Sequence, residues 1–224
     1  ICEKHNLWLH VDAAWGGGSL MSKQHRHHLN GIERADSVTW DTHKMLGTGL
    51  VSSFILTPHL GTLLASHRGG GNNYLFHDGQ ENTLDLGPSS LQCGRRVDAL
   101  KVWLSWRAMG DEGFEKLVDT LYARAGWMAE EIKKRSNLQL LYEPTSLNIC
   151  FRYKTKRKYL ANLAVRPIRD DLIARGEAMI NWSSRSGESF LRFIVVHPGA
   201  NEAVLSSILD KIEAAGARWE ASHA

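Results

Sequence analysis

The chain has 224 residues, enough for one large domain or two small ones, and its 43% hydrophobic content is that of a chain that buries a real core. A net charge of +3 is too small to point to nucleic acid or an anionic membrane as partner. The three cysteines, Cys2, Cys93 and Cys150, are far apart and odd in number; they fit a reducing cytoplasm better than a disulfide framework or a zinc ribbon. No run approaches the roughly 18 uninterrupted apolar residues of a membrane span. The opening Ile1-Cys-Glu-Lys-His-Asn6 lacks the apolar stretch of a signal peptide. It also lacks a Met and leads almost at once into an apolar strand, which reads as the C-terminal portion of a longer polypeptide.

In chain order, residues 7–11 (Leu-Trp-Leu-His-Val) predict a short buried strand, ended by Asp12 and the Gly16-Gly17-Gly18 turn. Strands follow at 37–40 and 50–56. Thr57-Pro58 predicts a helix start, with Thr as N-cap and Pro at the first helical position. Gly69-Gly70-Gly71-Asn72-Asn73 reads as a flexible loop leading into Tyr74-Leu75-Phe76. Apolar residues at 97, 100, 104 and 108 predict a helix over 96–109, closed by Gly110. A longer helix over 111–135 carries Phe114, Leu117, Val118, Leu121, Ala125, Met128 and Ile132 on one face. Strands are predicted at 138–141, 147–151, 179–182 and 190–196. Helices are predicted at 167–175, stopped by Gly176, and at 202–215, capped by Asn201. Alternating strands and helices in the first half predict an α/β fold with a mostly parallel sheet.

Two of the apolar runs end in residues with chemistry. Asp12 closes the first strand, and Asp41-Thr42-His43-Lys44 follows the second. Ligands of parallel α/β sheets bind beyond the carboxyl ends of the strands. A lysine and a carboxylate placed there are the two protein groups a pyridoxal phosphate site needs: one forms the Schiff base, the other pairs with the pyridinium nitrogen. The plainer readings are a surface lysine after a strand, and an aspartate that caps a helix or binds a metal. His25, His27 and His28 have the spacing of a metal cluster, but on a polar segment solvated histidines are the simpler reading and no metal is expected. Cys93 reads as a structural thiol. The basic clusters Lys133-Lys134-Arg135 and Lys154-Thr-Lys156-Arg157-Lys158 read as solvated surface, since few aromatics interleave with them.

His10-Val-Asp12-Ala-Ala-Trp-Gly-Gly, Ser37-Val-Thr-Trp40 and His43-Lys44 resemble the group II pyridoxal-phosphate-dependent amino-acid decarboxylases, and most of all the animal-type glutamate and cysteine sulfinate decarboxylases. The likeness continues through His25-Arg-His27, residues 29–37, Tyr74-Leu-Phe76, Gln92-Cys-Gly-Arg-Arg-Val-Asp98, Glu143-Pro144, Asn148-Ile-Cys-Phe151 and Phe190-Leu-Arg192, so it covers nearly the whole chain. It implies fold type I of the pyridoxal-phosphate enzymes, with residues 1–110 as the C-terminal part of the cofactor-binding large domain and 111–224 as an α+β small domain. It implies Lys44 as the covalent attachment point, Asp12 as partner of the ring nitrogen, Ala14 under the ring and His43 near the phosphate. Tyr74 matches the tyrosine of a mobile catalytic loop and Arg192 the arginine that grips the substrate α-carboxylate. The resemblance further implies a cytoplasmic homodimer with composite sites.

The expected reaction is α-decarboxylation of an acidic L-amino acid, glutamate or cysteine sulfinate. Aspartate or an aromatic amino acid is the alternative substrate, and a cofactor-free partner subunit the non-enzymatic alternative. Retention of both Lys44 and Asp12 argues against the latter. Two positions depart from the family pattern. Asp41-Thr42 stands where Asn-Pro is usual, and an ionised Asp cannot donate to a phosphate. Leu86-Gly87-Pro88-Ser89 stands where Thr-Gly-Asp-Lys is typical.

Overall fold

A computed structural model describes residues 1–67, 87–92 and 94–223. Gly69–Gly71, Tyr74 and Cys93 lie outside the described residues. The chain divides into two compact units, Ile1–Phe114 and Glu115–Ala224.

In the first unit a short helix α1 (Cys2–His5) leads to strand β1 (His10–Asp12), followed by β2 (Ser37–Asp41) and β3 (Ser53–Leu56) in the order β1-β2-β3. The expected strand over 7–11 is displaced: Leu7 and Trp8 are exposed, and pairing begins at His10. Before that point the backbone N–H of Leu9 donates to the Asp36 carboxylate at 2.7 Å rather than to a neighbouring strand. β1 and β2 pair in parallel, with Asp12 opposite Thr39. β3 returns antiparallel to β2, with Asp41 opposite Ser53. The three described strands of this unit thus pair once in parallel and once antiparallel. The connection from Asp41 to Ser53 is shorter than the dozen or more residues a parallel crossover takes.

Side chains alternate across a strand, so the register sorts the sheet into two faces. His10, Asp12, Ser37, Thr39, Asp41 and Ser53 share one face, and the His10 ring links Ser37 (2.8 Å) and Thr39 (3.1 Å) across it. Trp40 and Phe54 lie on the other. There they begin an aromatic chain in which Trp40 packs on Phe54 (5.8 Å between centroids) and on Trp106 (6.5 Å), and Trp106 on Phe114 (5.0 Å). The 3-10 turn Gly16–Met21 needs its glycines for the same packing: a Cβ on Gly17 would fall on the Trp40 ring and one on Gly18 within 2.7 Å of Met45.

The helix expected from Thr57-Pro58 begins later, as α2 (Thr62–His67). The Thr57 hydroxyl accepts from the His59 N–H at 3.2 Å, which closes a local turn instead of capping a helix. The helices predicted on either side of Gly110 run on as α3 (Asp98–Lys134), broken at Gly110, whose φ of 66° is a conformation glycine takes without strain.

The second unit stands on an antiparallel sheet of β4 (Leu138–Leu140), β5 (Asn148–Tyr153), β6 (Asn181–Arg185) and β7 (Glu188–Ile194), in the order β4-β5-β7-β6. Helices α4 (Ala161–Ala174) and α5 (Glu202–Ala221) pack on it. Its core joins Ile149, Phe151 and Leu191 to Ala164, Ile168, Leu172, Leu205, Leu209 and Ile212, together with the predicted α3 face of Val118, Leu121, Ala125, Met128 and Ile132. Asn201 caps α5 as expected, its side chain accepting from the Val204 N–H at 3.0 Å. Pro167 is not the start of its helix but lies inside α4. It sits on the exposed side, and the stripe Ala161, Ala164, Val165, Ile168 and Leu172 anchors the helix on both sides of the missing N–H. Likewise β6 starts at Asn181, with Met179 exposed.

Candidate active site

Asp12 is the last residue of β1 and Asp41 the last residue of β2, so both carboxylates stand at carboxyl ends of adjacent parallel strands on the same sheet face. The Asp12 Oδ1 accepts from the Ala14 N–H at 3.0 Å, which turns the chain and tucks Ala13 and Ala14 into buried positions beneath it. Ala14 is 8% exposed. Next to the charged group the floor is therefore small, apolar and flat.

Beyond β2 the chain makes a pinned turn. Thr42 is fully buried; its N–H and hydroxyl both donate to the Ser52 carbonyl, at 3.0 and 3.2 Å, and the Thr48 hydroxyl donates to the Thr42 hydroxyl at 2.8 Å. Met45 and Leu46 are buried on the far side. Lys44 is held between these anchors by its N–H, which donates to the Asp41 carbonyl at 3.2 Å. Its side chain keeps 37% of its surface in water, and Nζ sits 2.8 Å from Asp41 Oδ2. The His43 Nδ1 lies 3.0 Å from the Ser52 carbonyl and 3.1 Å from the Ser52 backbone nitrogen, so the ring is tied to the Ser52 backbone.

Burial opposes ionisation of the Asp41 carboxyl, yet its pKa is held below the usual carboxylate value of 3.8 by bonds from Lys44 and Ser53 and by the charges of Lys44 and His43. A primary amine open to solvent, a carboxylate on the neighbouring strand, an imidazole and an alanine floor form a donor set that suits a flat, anionic, aldehyde-bearing ring.

A model of the pyridoxal-dependent decarboxylase conserved domain matches residues 1–154. The chain belongs to the pyridoxal-dependent decarboxylase family. It is 38% identical to a cysteine sulfinic acid decarboxylase of Mus musculus over 229 aligned positions, covering 96% of this chain and 46% of that protein. It is 38% identical to an acidic amino acid decarboxylase, GADL1, of Homo sapiens, covering 96% and 44%. The crystal structure of mouse CSAD superposes with a TM-score of 0.87 at 36% identity, over 96% of this chain and 47% of that one. The crystal structure of Oryza sativa TDC with PLP and tryptamine shares the fold at 24% identity and a TM-score of 0.86. The chain spans about half the length of the curated relatives it matches.

Within this family member, Asp12, Ala14, His43 and Lys44 all belong to the first unit, while Arg192 belongs to the second. Arg192 lies in β7 opposite Cys150 of β5, on the sheet face away from the buried Leu191 and Phe151. Its Nε is buried with no hydrogen-bond partner among the described residues. Burial pushes the Cys150 thiol upward, against the pull of the Arg192 charge. Tyr74 lies outside the described residues. The role of Asp41 was not legible from sequence beyond its departure from the family Asn. The usable signal was its spacing, three residues before Lys44 across a tight turn.

Among the described residues no group of three or more His, Cys, Asp or Glu is placed to hold a metal, and no helix is long and apolar enough to cross a membrane. The rings of His27 and His28 pack on each other, 4.1 Å between centroids.

Proposed function

We propose that the complete protein is a pyridoxal-phosphate-dependent decarboxylase that removes the α-carboxylate of an acidic L-amino acid, glutamate or cysteine sulfinate, as a cytoplasmic homodimer. In this reading residues 1–110 are the C-terminal part of the cofactor-binding large domain and 111–224 the small domain. The observation that carries the proposal is the pairing of Asp12 and the Lys44 turn at adjacent parallel strand ends, in a chain of this family. The names of its cysteine sulfinic acid and acidic amino acid decarboxylase relatives support the substrate class.

Lys44 would hold the cofactor covalently, and Asp12 would keep a proton on the ring nitrogen. Ala14 would support the ring face, and His43 would lie near the phosphate. When bound, pyridoxal phosphate supplies an electron sink for the breaking Cα–carboxylate bond. Arg192, whose buried Nε has no hydrogen-bond partner among the described residues, would grip the substrate α-carboxylate in a two-pronged bond that a lysine could not match. Tyr74 would then deliver its hydroxyl proton to Cα: a phenol with a pKa of about 10 is protonated at neutral pH and can donate.

The test is product analysis of the complete polypeptide with glutamate, cysteine sulfinate, aspartate and an aromatic amino acid, with and without added cofactor. The reading requires carbon dioxide and amine in equal amounts from an acidic substrate, dependent on cofactor. Turnover of the aromatic amino acid alone, or no turnover by cofactor-loaded protein, would contradict it.

A further inference from the structure

Asp41 and Lys44 form an ion pair whose geometry is fixed from one side only. Asp41 ends β2, its backbone paired with Ser53, and its side chain is 11% exposed. The flanking Thr42 and Met45 are anchored in the interior, so within this turn the Lys44 side chain is what can move. The group it meets is the Asp41 carboxylate, at 2.8 Å. The bond from Lys44 is also one of the interactions that hold the Asp41 carboxyl in its ionised form. His43 adds its ring to the same turn but is tied to the Ser52 backbone.

The covalent step expected of Lys44 needs the lone pair of Nζ. In the ion pair that lone pair is an N–H bond directed at the carboxylate. Attack on an aldehyde requires Nζ to leave Asp41 and give up a proton, add to the carbonyl carbon and expel the carbonyl oxygen as water. The lysine nitrogen ends doubly bonded to that carbon. If the released proton returns to nitrogen, charge balances: an ammonium and an aldehyde give a protonated C=N linkage and one water.

We propose that Asp41 is a positioning residue that restrains Lys44, holding Nζ in an ion pair so that the free protein captures its aldehyde cofactor more slowly than a protein with an uncharged residue there. The inference rests on Lys44 being the attachment point.

The experiment uses the complete polypeptide stripped of cofactor, and its Asp41→Asn, Asp41→Ser and Asp41→Glu variants. Each is mixed with pyridoxal phosphate, or with pyridoxal, which has no phosphate. Capture is followed by the absorbance of the C=N linkage and by borohydride quenching, with the label on the Lys44 peptide quantified over time. The Asn and Ser variants are expected to capture both probes roughly three- to ten-fold faster than the parent, between the effect of an exposed ion pair and that of a buried charged hydrogen bond. Asp41→Glu should stay near the parent rate. Label on Lys44 at equal rates in all four proteins would overturn the restraint while leaving the attachment point intact. A gain seen with pyridoxal phosphate and absent with pyridoxal would also overturn it, by assigning the effect to phosphate repulsion. Absence of label on Lys44 in every protein would overturn the attachment point itself.

Discussion

In Glu115–Ala224, Leu121, Met128, Ile132, Ile149, Phe151, Ile168, Leu172 and Leu191 are all fully buried. In Ile1–Phe114, Trp8, Ile55, Leu56, Trp103 and Leu104 each keep about half of their surface in water, and among the described residues the large fully buried side chains are Met45 and Phe114. The second unit thus closes a core between its own sheet and helices. The first invests its packing in one aromatic chain behind Trp40 and leaves the opposite sheet face to Asp12, Thr39 and Asp41. The contrast teaches that, among the described residues, the Lys44 turn is held by local pinning, through the Thr42, Thr48 and Ser52 bonds, rather than by a deep surrounding core.

The comparison can be broken most severely at Asp12. Asp12→Asn keeps the size of the side chain and removes the charge, and turnover of the complete enzyme is expected to fall by about 10²–10³-fold or more, the scale of losing one preorganised electrostatic group. Steady-state kinetics at saturating cofactor checks this, and parent-like turnover would remove Asp12 from the chemistry.

A second break compares the cores directly. Phe151→Ala should destabilise the second unit by about 3–5 kcal/mol through the cavity it leaves. Ile55→Ala, at a half-exposed position of the first, should cost less than about 1 kcal/mol in this chain. Denaturant unfolding of both variants measures the difference, and equal costs would contradict the contrast between the units.

Arg192→Met tests the one proposed site residue borne by the well-packed unit. Substrate concentration for half-maximal rate should rise by the equivalent of about 2–5 kcal/mol, the range for truncating one partner of a desolvated charged pair. Unchanged substrate affinity would make Arg192 structural.

The smallest effect concerns pH. Bonds from Arg218 and then Arg175 hold the Asp171 carboxyl below its ordinary value of 3.8. A carboxyl lowered in the folded state adds stability that is fully present above its unfolded value and is lost as pH falls through the folded one. Asp171→Asn should therefore lower the melting temperature slightly at pH 7, and the gap to the parent should close as pH drops below 3.8. Melting curves across that range read it; a gap that widened in acid would refute the sign.

Much of the second unit was legible in sequence because its apolar residues recur at helix and strand periods over long stretches. The α3 face from Val118 to Ile132 and the Asn201 cap are examples. The misses were places where one side chain overrides the pattern. Asp36 takes the Leu9 N–H and delays β1, and Thr57 closes a turn ahead of α2. Pro167 is carried inside a helix whose buried stripe outweighs its missing bond. The antiparallel return of β3 depended on a connection length that periodicity does not report. At the site, Asp12 and Lys44 were legible as strand-end residues. The partner of Asp41 was not, because an ion pair across a turn leaves no periodic trace.

The account stands most directly on where the cofactor attaches. The first unit offers a second candidate in Lys101, whose Nζ donates to the Leu50 carbonyl at 2.5 Å and to Asp98 at 2.6 Å. Borohydride reduction of the cofactor-loaded complete protein, followed by peptide mapping, separates the two. A phosphopyridoxyl group on the Lys44 peptide is the predicted result, and one on Lys101 or any other lysine would contradict the site described.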